Sequence, residues 1–404
     1  MDINSKIKIN LEYYNNQHRN LLNNKNSYSD EFIKKMEFLV DNGYEISLGE
    51  FILNSLFYKK SVSPERYPDK ESLNRCITST LDDIEDYLEI KNNSLAVKEN
   101  CLPTNENIER IGESISISVI SKIIGNIDAD WDIVPIISEK SFDFIYSVSD
   151  EKVVQIEAKG CFSNGSTKSS AISNHKKSIL EKKEHIKTNP NHPYKSDCYY
   201  GVITQISNNN QIKCFLLDPP SDGFSGDRLD LKIKNRFNYY HSFLSFISPN
   251  SNLTKHLHSI IKEEINYINK EPLPYSYIGS PFNSFTYKKL KINIGALVLG
   301  GSLVFYKKNK FIFIGVDSSV INNIADGNIL SLPLPKKQYL NKLNFNIDKK
   351  LSNVEMVEVK KALKSTSVTY QYELEKQLKF TGNISISNSG IAIGILNLHS
   401  FSNE

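Results

Sequence analysis

The stretch Phe142-Asp143-Phe144-Ile145-Tyr146, followed by Val153-Val154-Gln155-Ile156-Glu157-Ala158-Lys159-Gly160, decides how this chain is read. It predicts two strands joined by the polar connection Ser149-Asp150-Glu151-Lys152. The first strand carries one carboxylate, Asp143, and the second ends in Glu157 and Lys159 at i and i+2. Side chains alternate along a strand, so Glu157, Lys159 and Gln155 share one face while Val154, Ile156 and Ala158 turn toward a core. Three ionisable groups at the end of an apolar hairpin are costly to bury unless charge balances them. A divalent cation would supply that balance.

Upstream, Asn107 to Ile124 reads as a helix closed by Gly125. Ile108, Ile111, Ile115 and Val119 form one apolar stripe, and Ile117, Ile120 and Ile124 a second. Glu113 is in line with the second stripe, a carboxylate on an apolar face, and Glu109 is its competitor one turn earlier. The small residues Gly112, Ser114, Ser116 and Ser118 would let this helix approach a sheet closely. Trp131 to Ile137 reads as a first strand, with Pro135 marking a sheet edge. Downstream, Thr167 to Lys187 reads as a helix with a basic side: Lys168, Lys176, Lys177, Lys182, Lys183 and Lys187. Cys198 to Ile206 and Gln211 to Leu217 read as two more strands. Helix, three strands, helix and strand in that order argue a mixed α/β unit with a central sheet.

The flanks are less informative. Residues 1 to about 26 are rich in Asn and Lys and read as loosely ordered. Three helices follow: one from Ser29 to Asn42-Gly43, one opened by the capping box Ser47-Leu48-Gly49-Glu50, and one over Glu71 to Ile90. After a boundary at Gly223 to Asp227 come two helices, then the β signals of Lys289 to Leu299, Leu303 to Tyr306 and Phe311 to Val316. Lys307-Lys308-Asn309-Lys310 reads as a hairpin tip. A helix over Val354 to Leu363 and strands near Ile384 to Leu398 close the chain. The expected division is a helical module over 1–102, the α/β unit over 103–222 and a mixed α/β module over 223–404. With 404 residues, more than one core is expected.

Apolar content of 39% and charged content of 24% are those of a soluble globular protein. A net charge of +3 permits nucleic-acid binding without arguing for it. The five cysteines, Cys76, Cys101, Cys161, Cys198 and Cys214, are scattered without a C-x-x-C spacing and read as reduced thiols of a cytoplasmic protein. The residues from Met1 to Asn26 are polar, with no leader pattern, and no membrane span is expected. There is no G-x-x-x-x-G-K-[ST], G-x-G-x-x-G or G-x-S-x-G pattern, so ATP hydrolysis, dinucleotide binding and α/β-hydrolase chemistry lack support. Acid-x-Lys recurs at Glu89, Asp150, Glu181, Asp230, Asp348 and Glu358. Only Glu157-Ala158-Lys159 ends an apolar strand behind a strand with a lone Asp.

From about Asn107 to Asp218 the chain resembles the PD-(D/E)xK, or restriction-endonuclease-like, nuclease superfamily. The resemblance implies an αβββαβ core and a site of Glu113, Asp143, Glu157 and Lys159. Phe142 stands where the family pattern has Pro, and no glutamine motif is found on the following helix. It implies a metal-dependent endonuclease acting on nucleic acid, DNA in preference to RNA, in bacterial restriction or anti-phage defence. A protein partner and a homodimer are expectations of the same origin. On chemical grounds Asp143 and Glu157, with Glu113, offer hard oxygen ligands for Mg²⁺ or Mn²⁺. Lys159 would hold or deprotonate the attacking water, and Lys168, Lys176 and Lys177 would meet backbone phosphates. The alternative is an inactive scaffold that binds nucleic acid or assembles a complex. A nuclease needs Asp143 and Glu157 close together and open to solvent; a scaffold can bury them paired with Lys159.

Overall fold

The computed structural model describes residues 2–24, 30–57, 70–134, 140–148, 152–163, 169–208, 212–217, 228–247, 251–262, 290–294, 297–307, 309–330, 337–350 and 375–402. In chain order the elements are β1 (Lys6–Tyr13), α1 (Asn16–Leu22), α2 (Asp30–Asn42), β2 (Tyr44–Ser47), α3 (Leu48–Phe57), α4 (Lys70–Tyr87), β3 (Leu88–Lys91) and β4 (Ser94–Val97). Then come α5 (Asn105–Ile124), a 3-10 turn (Asp128–Asp130), β5 (Trp131–Ile133), β6 (Phe144–Val148), β7 (Lys152–Phe162), α6 (Ser170–Thr188), β8 (Cys198–Ile206) and β9 (Ile212–Leu217). The remainder is α7 (Arg228–Ile247), α8 (Asn252–Lys262), β10 (Leu290–Ile294), β11 (Leu297–Lys307), β12 (Lys310–Asp317), α9 (Ser318–Ala325), β13 (Gln338–Lys350), β14 (Glu375–Ile386) and β15 (Ile391–Ser402). The class is mixed α/β.

The central sheet runs β2-β1-β9-β8-β7-β6-β5. β5, β6 and β7 pair antiparallel, and β7 pairs parallel with β8. A parallel pair needs a long crossover, and α6 supplies it. β5 is an edge strand, as Pro135 suggested, although Pro135 itself is outside the described residues. The two faces of β7 separate cleanly. Val154, Ile156 and Ala158 join the cluster that holds Ile111, Ile115 and Val119 of α5. On the other face Ile172, Ile179 and Ile186 of α6 pack against Tyr199, Ile203, Phe215 and Leu217.

The limits of α5 follow from its caps. Thr104 accepts from the Asn107 amide at 3.2 Å, and Gly125 ends the helix at φ +92°. Gly112 lets α5 touch β7: a Cβ there would stand 2.5 Å from the Gly160 nitrogen. Ser114 and Ser118 have a different role from the one expected, since they face α3, bonding Ser55 and Asn54.

The N-terminal expectations need correction. The opening residues are ordered: Ile7, Ile9 and Leu11 alternate inward along β1. β1 pairs parallel with β9 and antiparallel with β2, so the central sheet runs across position 102 into the segment expected to be a helical module. The helix expected over 71–90 ends at Tyr87 and gives way to the β3–β4 hairpin. Asn92 and Asn93 turn it with φ of 52° and 57°, a conformation Asn tolerates.

The second sheet runs β10-β11-β12-β15-β14-β13, antiparallel throughout. Its end strands β10 and β13 touch, so it curls around Phe311, Phe313, Phe380, Ile384 and Leu396. Ile312, Ile314 and Ile393 point the other way and join the main core. The helix expected over 354–363 and the loop of Gly223 to Asp227 are outside the described residues. Lys307 and Lys310 face each other at the expected hairpin tip, and Lys307 pairs with Asp82 at 2.5 Å and Glu85 at 3.0 Å. Arg236 is buried against Asp130 at 2.7 Å, and Tyr240 is in the core, so neither is open to a nucleic-acid strand. The five cysteines are free thiols; Cys161, Cys198 and Cys214 are buried. Among the described residues no helix is long and apolar enough to cross a membrane.

Candidate active site

Asp143 immediately precedes β6 and extends its pairing. Its amide donates to the Ile156 carbonyl at 3.0 Å, and its Oδ2 accepts from the Ala158 amide at 2.9 Å. That second bond fixes the Asp143 carboxylate beside the residue between Glu157 and Lys159. Three of the residues read from the sequence are therefore in one place.

Glu157 points to the α6 face of the sheet and its side chain has no solvent exposure. Two ammonium groups cover it: Lys159 Nζ at 2.5 Å and Lys182 Nζ at 2.6 Å, both on Oε1. Burial, then Asp143, pushes the Glu157 carboxyl above its ordinary range against the pull of the lysines. For Lys159, burial lowers the ammonium, but Asp143 and Glu157 outweigh it and the net direction is up. Lys159 and Lys182 keep about a quarter of their side chains exposed, at 25% and 23%, and Asp143 is half-buried. The cluster thus opens to solvent through its lysines and Asp143.

Lys182 and His175 are additions from α6. Ile172, Ile179 and Ile186 form its buried stripe, and His175 and Lys182 follow the first two by three residues, on one flank. Burial and then the Lys159 charge lower the His175 pKa, and its ring bonds the Gly160 backbone. The sequence signal for both was the seven-residue Ile repeat, which fixes the flank that meets β7. Lys176 and Lys183 follow the same Ile residues by four and lie on the opposite flank. There Lys176 sits 4.7 Å from the centre of the Tyr14 ring, in a cavity of about 720 Å³ also lined by Lys177 and Lys187. Lys176 and Lys177 therefore form a basic groove separate from Glu157. Lys168 lies outside the described residues.

Glu109 and Glu113 flank Gly112, where α5 meets β7. The exposed Glu109 raises the Lys159 ammonium, and Glu113 is half-buried. Among the described residues no group of three or more His, Cys, Asp or Glu is placed to hold a metal ion, so Glu113 does not complete such a group with Asp143 and Glu157. The two carboxylates alone still suit a hard cation. Glu157 Oε2 is buried without a hydrogen-bond partner among the described residues. A buried oxygen in that state gains from a cation, and Mg²⁺ commonly takes one or two carboxylates, with water and phosphate oxygens completing its shell.

No protein-family model, curated protein or solved structure matches the chain.

Proposed function

We propose that this protein is a metal-dependent endonuclease on a restriction-endonuclease-like core, hydrolysing phosphodiester bonds of nucleic acid, DNA before RNA. The observation that carries the reading is the Asp143 carboxylate on the Ala158 amide, which joins the lone Asp to the Glu-x-Lys of the next strand. The order α5, antiparallel β5–β6–β7, α6 and parallel β8 supports it, because it is the αβββαβ order that the resemblance implies. Restriction or anti-phage defence, a protein partner and a homodimer rest on that resemblance alone.

Asp143 and Glu157 would hold Mg²⁺ or Mn²⁺, which supplies charge on the scissile phosphate and a more acidic bound water. The chain's own groups do the rest. Lys159 keeps its proton, so it holds the attacking water and neutralises charge gathering on the phosphate instead of acting as base. His175, its pKa lowered, is a neutral imidazole beside Lys159 and can accept a proton. Glu109 of α5 is within electrostatic reach of Lys159.

A second reading, an inactive scaffold, is favoured by one observation: Glu157 is fully buried beneath two lysines. The test is cleavage of plasmid and single-stranded DNA with Mg²⁺, Mn²⁺ or EDTA, by wild type, Asp143→Ala and Lys159→Ala. The nuclease reading expects metal-dependent cutting that falls at least about 100-fold in each variant. Cutting unchanged in both variants refutes the assigned site.

A further inference from the structure

Two ammonium groups share one oxygen of Glu157, and they are held differently. Lys182 Nζ reaches Oε1 from α6 at 2.6 Å, and Lys159 Nζ from β7 itself at 2.5 Å. The charges of Asp143 and Glu109 reach Lys159 along with that of Glu157. Among the described residues Glu157 is the only carboxylate with which Lys182 forms an ion pair. Lys159 therefore keeps counter-charge if Glu157 turns to another partner, and Lys182 does not. The Lys182 side chain is partly open to solvent, whereas Glu157 has no exposure.

The cluster balances as it stands. Asp143 and Glu157 face Lys159 and Lys182, two carboxylates against two ammonium groups, with Glu109 an exposed neighbour. A divalent cation on the two carboxylates would leave a surplus of positive charge in a partly buried place, where surplus charge is costly. Two changes relieve it together: one ammonium lets go of Glu157, and an anion arrives to pair with that ammonium. Lys182 is the group that can leave, because it comes from another element, is partly solvated and has no second carboxylate to hold it. It is also beside Glu157 Oε1, so a phosphate drawn to a cation on Glu157 arrives next to it.

We propose that Lys182 is a substrate-phosphate ligand held in reserve: it caps Glu157 while the site is empty and passes to a phosphate of the nucleic acid when cation and substrate bind. Lysine serves phosphate as a point charge on a flexible stem, which suits an exchange of partners. Given the cation site of Asp143 and Glu157 proposed above, on which this role rests, cation and nucleic acid each tighten the other's binding through Lys182. A merely structural salt bridge gives no such exchange. A lysine that only meets the backbone contributes to nucleic-acid binding whether or not a cation is present.

The test compares wild type with Lys182→Met, which keeps the stem and removes the charge, and Lys182→Arg, which keeps the charge. Lys262→Ala, at the end of α8, controls for bulk charge. Two affinities of the full chain are measured well below the thermal midpoint of each variant. Mn²⁺ affinity without nucleic acid, from the electron paramagnetic resonance of the free ion, should rise at least about fivefold in Lys182→Met. Affinity for a fluorescein-labelled DNA duplex, from anisotropy read before product forms, should fall at least about fivefold in Lys182→Met with Mn²⁺ present and stay unchanged in EDTA. Lys182→Arg and Lys262→Ala should follow the wild type in both. Mn²⁺ affinity that is unchanged or lower in Lys182→Met, a loss of DNA affinity equal in EDTA and Mn²⁺, or no DNA binding by wild type overturns the exchange while the cation site stands. No Mn²⁺ binding by wild type overturns the cation site, and the exchange with it.

Discussion

Glu157 sets the character of the site. It is a fully buried carboxylate whose one oxygen is shared by two ammonium groups and whose other has no hydrogen-bond partner among the described residues. Removing one lysine leaves more negative charge in the interior. We predict that Lys182→Ala lowers stability by about 1–3 kcal/mol, read from the denaturant midpoint. The sign of its pH dependence follows from the raised Glu157 carboxyl. A folded-state pKa above the unfolded one means stability falls as pH rises from the unfolded value through the folded one. Losing Lys182 raises the folded value further, so the deficit of the variant should grow toward mildly alkaline pH and shrink in acid. A deficit that is the same at both ends would show that Lys182 does not act through Glu157. At this scale the sequence was legible where local chemistry was enough: Asp143, Glu157 and Lys159 lie on neighbouring strands. Lys182 read only as one more basic residue of α6, because a contact with Glu157 depends on which flank of the helix faces β7.

At the scale of elements, the join of α5 to β7 brings Glu109 within electrostatic reach of Lys159. A Cβ on Gly160 would stand 2.0 Å from the Ile108 carbonyl oxygen, a backbone atom that cannot swing aside. Gly160→Ala should therefore force α5 away from Lys159 and cost about 1–3 kcal/mol in a chemical denaturation curve. An unchanged midpoint would mean the helix is free to shift. The end of α5 was readable from Gly125, which stops it, whereas its start was read at Asn107 and the cap is Thr104, just before Asn105. β1 was hidden by composition. Its inward Ile7, Ile9 and Leu11 alternate with Lys6, Lys8 and Asn10 in a stretch rich in Asn and Lys, and the alternation is the signal that counted. α4 was read too long because the strand after it is only four residues, Leu88–Lys91, and leans on β4 for its pairing.

For the whole molecule, the central sheet ignores the expected boundary at 102. β1 covers the edge of β9, and α3 packs on α5. A fragment of residues 103–222 would bare both the β9 edge and the α3 face of α5. It should lack the sharp thermal transition of the full chain; a fragment that melts cooperatively would show that the N-terminal strands are an accessory. Long-range pairing of this kind is set by tertiary contacts, and no local pattern in residues 1–102 announces which strand β1 will meet. The second sheet shares the main core through Ile312, Ile314 and Ile393, so it too belongs to the packing of the whole.

The central claim, that Asp143 and Glu157 form a hard-cation site, is tested most directly by titrating Mn²⁺ into wild type, Asp143→Ala and Glu157→Gln and following free Mn²⁺ by electron paramagnetic resonance. The account predicts saturable binding by wild type that is lost in both variants, with Lys182→Ala binding at least as tightly as wild type because one competing ammonium is gone. Binding that is equal in all four proteins, or absent from wild type, would contradict it.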